Sequence, residues 1–326
     1  MTGTIIITGA NGSLGLAFIS HLLLTHPNYT ILATVRDPSP KDPNTAHLST
    51  LLSSHAQSSI EALDLSTFSN VRNFAENTAK RVALGEIPPI KAIICNAFTM
   101  SVTETIYTPD GFERTFQVNH ISHFLLVLKL LGSMDKDGRI VMLASDTHYT
   151  DRTHPLFKQR PGIPEDVELL VRPRADKPGK EYDGGFHRYG NSKLANVMFM
   201  HDLNAKLEKN PELSGITAIA MDPGGMVDSR AHRIQTPTMR FAFGLITVLL
   251  PVLRHFTYTM RSADQSGREL VRLSVGDDFK GTKGYFMGLR REREDVASKD
   301  IHKQEVLWEA CWKWTKMSKE ETVLAE

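Results

Sequence analysis

Short β-branched and apolar runs alternate with helix-length segments from Thr4 to about Met287, and this alternation restricts the fold more than any other feature. Ile5–Thr8, Thr30–Val35, Ile60–Leu63, Ile90–Cys95, Arg139–Ala144 and Ile216–Met221 read as strands, with a short last one near Gly284–Phe286. The spacing predicts helices from about Leu14 to Leu24, Ser66 to Leu84 and Asp110 to Leu131, and another through Tyr189–Leu207. Strands apolar on both faces need cover on both faces, and strands separated by helices run parallel. The pattern predicts an α/β class, with one doubly wound parallel sheet and residues 1–326 forming a single domain. Three segments break the rhythm. The stretch 150–186 carries Pro155, Pro161, Pro164, Pro173 and Pro178 and reads as an insertion. The apolar stretch 226–260 reads as a substrate lid, lined by Met226, Phe241, Phe243, Leu250 and Leu253 unless these simply pack in the core. Residues 290–326 form a C-terminal extension, whose charge run Arg290–Asp295 reads as solvated surface.

Composition excludes several function classes. Lys and Arg number 38 against 37 Asp and Glu, so no basic field is available to steer the chain onto nucleic acid or an anionic membrane. Two cysteines, Cys95 and Cys311, cannot build a disulfide framework, which fits a reducing compartment. Phe241 to Leu253 is interrupted by Gly244, Thr247 and Pro251 and falls short of the ~20 residues of a membrane span. Met1 leads directly into Thr4-Ile5-Ile6-Ile7-Thr8 without a basic leader. The expectation is a cytoplasmic protein.

Thr8-Gly9-Ala10-Asn11-Gly12-Ser13-Leu14-Gly15 stands between the first strand and the first helix. Glycines there let the backbone approach a pyrophosphate, and the helix N-terminus offers amide donors and a positive dipole. After the second strand comes Thr34-Val35-Arg36-Asp37. The neutral Val35 and the guanidinium of Arg36 favour a 2′-phosphate, hence NADP(H), whereas Asp37 keeps NAD(H) as the less favoured reading. Asp64 and Leu65 close the third strand; the carboxylate suits an adenine amino group, a helix cap, or both. In Tyr189-Gly190-Asn191-Ser192-Lys193 the Tyr and Lys share a helix face, so the cation would lower the phenol pKa and make it an acid–base group. With seven tyrosines in the chain this pair means little by itself, and position decides. Ser145 and Asn96 end the fifth and fourth strands, where an open α/β sheet binds its ligands.

These residues, together with Asn96-Ala97, Val118-Asn119-His120, Ser192-Lys193-Leu194-Ala195-Asn196 and Pro223-Gly224, resemble the short-chain dehydrogenase/reductase family from Thr4 to about Phe286. Phe116–Leu126 is most similar to retinol-dehydrogenase-like and fungal secondary-metabolite reductases of that family. The resemblance implies a Rossmann fold in which Tyr189 protonates a substrate carbonyl as hydride arrives. Lys193 would hold the nicotinamide ribose, Ser145 would orient the carbonyl and Asn119 would support a water-linked proton path. It further implies that Thr8, Gly9, Asn11, Gly12, Leu14 and Gly15 surround the pyrophosphate, while Arg36, Asp64 and Leu65 meet the adenosine half. Asn96 and Ala97 would line the nicotinamide side, and Pro223, Gly224, Val227 and Ser229 its carboxamide. The chain departs from the family pattern at Ser13, which replaces a glycine, and at Phe98, where the Asn-Ala-Gly motif has its glycine. The stretch from Ser145 to Tyr189 is also longer than usual, which admits a monomer as well as a homodimer.

The function expected is an NADPH-dependent oxidoreductase that reduces a carbonyl, or oxidises an alcohol, of an apolar small molecule of secondary metabolism. Alternatives are an isomerase or cyclase that keeps the cofactor without net redox, and a redox-silent cofactor sensor. His120 and His123 lack metal-ligand company and no metal is expected. His148 and His187 flank the insertion as candidate second acid–base groups or surface histidines.

Overall fold

In the computed structural model the described residues are 2–152, 157–230, Gly244 and 257–324. Much of the expected lid, including Phe241, Phe243, Leu250 and Leu253, lies outside them. In chain order the strands are β1 (Thr4–Thr8), β2 (Thr30–Val35), β3 (Ser58–Ala62), β4 (Ile90–Cys95), β5 (Met134–Leu143), β6 (Thr217–Asp222), β7 (Gly225–Met226), β8 (Met260–Arg261), β9 (Gly284–Met287) and β10 (Arg290–Arg291). Eight of them form one sheet in the order β10-β9-β6-β5-β4-β1-β2-β3. Pairing is parallel throughout except for the β10–β9 edge. The strand order reverses between β1 and β4, which opens a crevice at the carboxyl edge. β7 and β8 form a separate parallel pair.

Helices α1 (Ser13–Thr25), α2 (Pro43–Leu52), α3 (Phe68–Ala83), α4 (Arg114–Phe116), α5 (Ser122–Leu130), α6 (Glu168–Val171), α7 (Glu181–Lys209), α8 (Ala263–Val275) and α9 (Ile301–Thr315) cover both faces. On one face α1, α2 and α8 bury Phe18, Leu22, Leu48 and Leu270 against Ile5, Ile7 and Ile31 of the sheet. On the other, α3, α5, α7 and α9 bury Phe74, Phe124, Phe199 and Trp308. Burial of each such side chain contributes ~1.5–3 kcal/mol against chain entropy.

The sequence reading missed α2, α8 and α9. Each carried a start signal: Asp42 accepts from the amides of Asn44 and Thr45, Ser262 accepts from Gln265 and Asp300 from Lys303. The helix expected from Asp110 begins at Arg114 and is broken by a π-helical turn at Gln117–Ile121 before α5. β5 starts at Met134, earlier than expected. The charge run is only partly solvated: Arg290 and Arg291 are exposed, but Asp295 is buried, because its carboxylate accepts from the amide and hydroxyl of Thr150 and from the amide of Ala297.

The described part of the insertion is anchored to α7. Phe157 stacks on Phe186 at 5.0 Å, and Asp176 pairs with the buried Arg188 at 2.8 Å. Helix α9 seats Trp308 against Phe124 and Phe199, and the Trp314 indole N–H donates to Glu168 of α6 at 2.8 Å.

Candidate active site

The glycine-rich turn leaves β1 through Gly9, whose φ of +63° suits glycine. A Cβ there would also meet the Ala97 Cα at 2.9 Å. At Gly15 a Cβ would strike the Ala10 carbonyl oxygen at 2.6 Å, so the first turn of α1 can close only over glycine. Gly12 is the N-cap and supplies no capping side chain, which leaves the first-turn amides of α1 without intrahelical acceptors. Asn11 donates to the Thr45 hydroxyl at 2.9 Å. Arg230, which the sequence reading did not single out, donates from its guanidinium to the Asn11 carbonyl and from its amide to the Ser13 hydroxyl at 3.1 Å. Backbone donors, a cation and no Cβ in the way suit an anion such as a pyrophosphate.

Thr8 is fully buried and ties this turn to β4. Its hydroxyl oxygen accepts from the amides of Asn96 and Ala97, both at 2.9 Å. Asn96 donates from its side chain to the carbonyls of Thr8 (2.7 Å) and Gly9 (3.1 Å), so this side chain braces the turn. His123 bonds through Nδ1 to the Asn119 carbonyl at 3.1 Å and through Nε2 to the Thr8 hydroxyl at 2.9 Å. A carbonyl only accepts, so Nδ1 carries the proton and Nε2 accepts from Thr8. Burial holds His123 neutral, with its pKa pushed down to about 3.

Arg36 is exposed just beyond β2. The Asp37 carboxylate accepts from the Ser39 amide at 2.8 Å, and that of Asp64 from the Ser66 amide at 2.9 Å in a turn before α3. Leu65 is buried, and its carbonyl accepts from Ser122 at 2.6 Å.

Asn119 sits in the π turn, a local irregularity that frees backbone groups. Its side chain accepts from the Thr99 amide at 2.8 Å and donates to the Thr99 carbonyl (3.1 Å) and the Ser192 hydroxyl (3.0 Å). Tyr189 and Lys193 lie one turn apart on α7, with the Lys193 Nζ 5.4 Å from the Tyr189 ring centre and 5.7 Å from that of Phe98. Lys193 donates to the Leu143 carbonyl at 2.8 Å, and Asn196 to the same oxygen at 3.1 Å. Ser145 follows β5; its hydroxyl donates to the Asp146 carboxylate at 3.2 Å, accepts from the Thr147 amide at 3.3 Å, and lies near enough to the Tyr189 phenol to act on its pKa. Phe98, 44% exposed, tilts against Tyr189 with ring centres 6.1 Å apart.

Here the electrostatics correct the sequence reading. The Tyr189 pKa is raised, because burial and the Asp222 carboxylate outweigh the lowering by the Ser145 hydroxyl. Lys193 is pushed down to about 8 by burial, with Asp222 acting against the shift. His148 is not a free acid–base group either. Its Nδ1 donates to the Ser145 carbonyl at 2.7 Å, its Nε2 accepts from the Asp295 amide at 3.2 Å, and burial lowers its pKa to about 4. His120 is likewise buried, bonded to Asn196 at 3.0 Å and lowered to about 4. Burial also lowers the His187 pKa.

Beyond β6, Gly224 adopts φ +76° and packs where a Cβ would meet the Arg261 Cδ at 2.5 Å. The Pro223 carbonyl accepts from Ser266 at 2.7 Å, the Val227 amide donates to the Arg261 carbonyl at 3.1 Å and the Ser229 amide to that of Met226 at 3.0 Å. The carboxyl edge thus brings Asn119, Ser145, Tyr189 and Lys193 together beside the glycine-rich turn and the Pro223–Gly224 turn.

A family profile described as short chain dehydrogenase matches residues 3–153, and one described as AcuH dehydrogenase domain matches 230–324. The chain is similar to the short-chain dehydrogenase iccH of Talaromyces variabilis, at 34% identity over 99% of this chain and 98% of that one. It is 28% identical to the human WW domain-containing oxidoreductase over 86% of this chain, a match spanning 60% of that longer protein. Among solved structures, NADPH-bound carbonyl reductase from chicken fatty liver shares the fold with a TM-score of 0.60 at 18% identity, covering 89% of this chain and 98% of that one. The NADP-bound angucycline C-6 ketoreductase LanV does so with a TM-score of 0.59 at 18% identity, covering 87% and 93%. The glycine-rich turn on β1, the serine after β5 and the Tyr–Lys pair on α7 accord with these likenesses, and the chain belongs to the short-chain dehydrogenase/reductase family of oxidoreductases.

Proposed function

We propose that the protein reduces a carbonyl group of an apolar small molecule of secondary metabolism, with NADPH as reductant and Tyr189 as proton donor. The observation that carries this reading is Tyr189 one helical turn from Lys193, whose ammonium lies 5.4 Å from the phenol ring centre, with Ser145 beside them at the end of β5. A carbonyl oxygen that accepts from the Ser145 and Tyr189 hydroxyls would be polarised and then protonated by Tyr189. The charge on Lys193 stabilises the phenolate left behind, and the Leu143 carbonyl holds that ammonium in place. Asn119, braced by Thr99 and Ser192, supports the route by which the proton returns.

The bound nicotinamide would supply the hydride. The turn from Thr8 to Gly15, including Asn11, Gly12 and Leu14, would hold its pyrophosphate, and Asp64 and Leu65 its adenosine. Ala97, Pro223, Gly224, Val227 and Ser229 would hold its other end. Arg36 supports a preference for the 2′-phosphate, since no acid occupies its position and the Asp37 carboxylate already accepts from Ser39. The exposed ring of Phe98 beside Tyr189 supports an apolar substrate.

Incubation with NADPH deuterated on the transferred face of C4, together with a small-molecule extract of the host, tests the reading by mass spectrometry. A product one deuterium heavier that disappears in Tyr189→Phe is expected. A protein-dependent product without deuterium would replace the reductase with an isomerase or cyclase.

A further inference from the structure

Asp222 ends β6 immediately before Pro223 and is almost fully buried, yet the chemistry above gives it no part. Its Oδ1 accepts from the Gly224 amide at 2.7 Å and its Oδ2 from the Tyr285 hydroxyl at 3.2 Å. These donors belong to two separate pieces of the site. Gly224 is the turn after β6, and Tyr285 lies in β9 with no exposed surface. The Tyr285 ring packs on His148 at 4.7 Å, and His148 in turn holds the Ser145 carbonyl.

Resting on the reading of Tyr189 as proton donor, we infer that Asp222 is a positioning residue for that reaction: its carboxylate joins the Pro223–Gly224 turn to Tyr285, which reaches the Ser145 backbone through His148, and sets a negative charge facing Tyr189 and Lys193. Two donors converge on it and favour the ionised acid against the burial that disfavours it. Protonation, or an amide in its place, removes an acceptor, so the Tyr285 hydroxyl must turn from donor to acceptor. The charged and titratable groups around it are Asp146 and Tyr149 after β5, Tyr285 on β9, and Tyr189 and Lys193 on α7. Arg261 of β8, paired with Glu269, packs beside Gly224. Burial first, and Asp146 second, push the Asp222 pKa up to about 6, so it changes charge inside the folded protein near neutral pH. Its ionised form raises the pKa of Lys193 and thereby keeps that ammonium charged.

The test compares wild type with Asp222→Asn in the full chain, using NADPH and the diketone phenanthrenequinone as probe, over about pH 5 to pH 9. Wild-type kcat/KM should fall on the acid side near the Asp222 transition and on the alkaline side as Lys193 loses its proton. In Asp222→Asn kcat should fall about tenfold near neutral pH. Its acid limb should vanish and its alkaline limb should move to lower pH, a shift that packing damage alone does not produce. Tyr285→Phe serves as a second variant should the amide fail to fold. Loss of that donor should move the acid limb to higher pH.

An infrared titration reads the carboxyl without turnover. A protonated-carboxyl band should grow in wild type as pH falls through about 6 and be missing in Asp222→Asn. A wild type that shows the band but transfers no deuterium from the labelled NADPH to any product overturns the functional reading and the positioning role with it. Turnover with both limbs and kcat intact in Asp222→Asn overturns the inference alone, as does absence of the band.

Discussion

Two buried clusters hold the carboxyl edge of the sheet, and they differ in kind. Around Thr8, between β1 and β4, every link is neutral: a hydroxyl accepts two amides and donates to an imidazole, which donates to a carbonyl. Around Asp222, between β5, β6 and β9, the centre is a carboxylate. The first cluster has one proton arrangement and keeps it as long as the protein is folded. The second has two charge states within reach of neutral pH. The glycine-rich turn is therefore fixed, while the side of the site that carries Ser145 and Tyr189 responds to pH.

Acid separates the two clusters most sharply. His123 of the first cluster has a folded pKa far below the ordinary histidine value, as do His120 beside Asn196 and His148 on the Asp222 side. Their contribution to stability is complete above about pH 6.5 and is lost as pH falls toward about 4, a loss on the order of several kcal/mol. Asp222 acts in the opposite direction. Its folded pKa lies above the unfolded one, so its ionisation costs stability as pH rises from about 4 to 6, and acidification relieves that cost. Urea unfolding between these pH values should give a steep net loss in acid. His123→Gln, whose amide can donate to Asn119 and accept from Thr8, should flatten the slope; an unchanged slope would show that His123 is not held neutral.

Thr8→Val comes next in size. It keeps the shape and removes the hydroxyl, leaving the Asn96 and Ala97 amides and the His123 Nε2 without their partner. A loss of roughly 3 kcal/mol is expected, at all pH values where the fold persists. A loss that depends on pH would break the contrast drawn above. Asp295→Asn should have the smallest effect, about 1 kcal/mol, because the amide replaces one of the acceptors used by Thr150 and Ala297. Chemical denaturation measures the loss, and a slower kcat at unchanged NADPH affinity would trace the path from Asp295 through His148 to Ser145.

The central sheet was legible because apolar strands and helix periods are local properties: β2 and β4 match the sequence reading to the residue. The residues proposed for catalysis were legible through their spacing and their places at strand ends. Helix α2, with Pro43 at its first position and Ser, Thr and Asn through its body, shows little apolar periodicity, so only the Asp42 cap betrays it. The π turn at Asn119 has no sequence period of its own. Asp222, one position past the strand expected to end at Met221, was not singled out, since its role depends on Tyr285, sixty-odd positions later, and on burial that no local pattern records. The same limit misjudged Tyr189: a neighbouring lysine is visible in sequence, whereas the burial and the Asp222 charge that raise the phenol pKa are products of the tertiary fold.

Helix α9 has a practical consequence. All three tryptophans, Trp308, Trp312 and Trp314, lie on it, and Trp308 and Trp314 are buried against the α5–α7 layer. Intrinsic fluorescence thus reports one event, the docking of the last long helix, and is blind to the glycine-rich turn on the far side of the sheet. Circular dichroism averages over every helix. Where the two signals coincide during denaturation, the C-terminal segment melts with the whole; where fluorescence leads, the helix peels away first, and the optical probe measures a local latch.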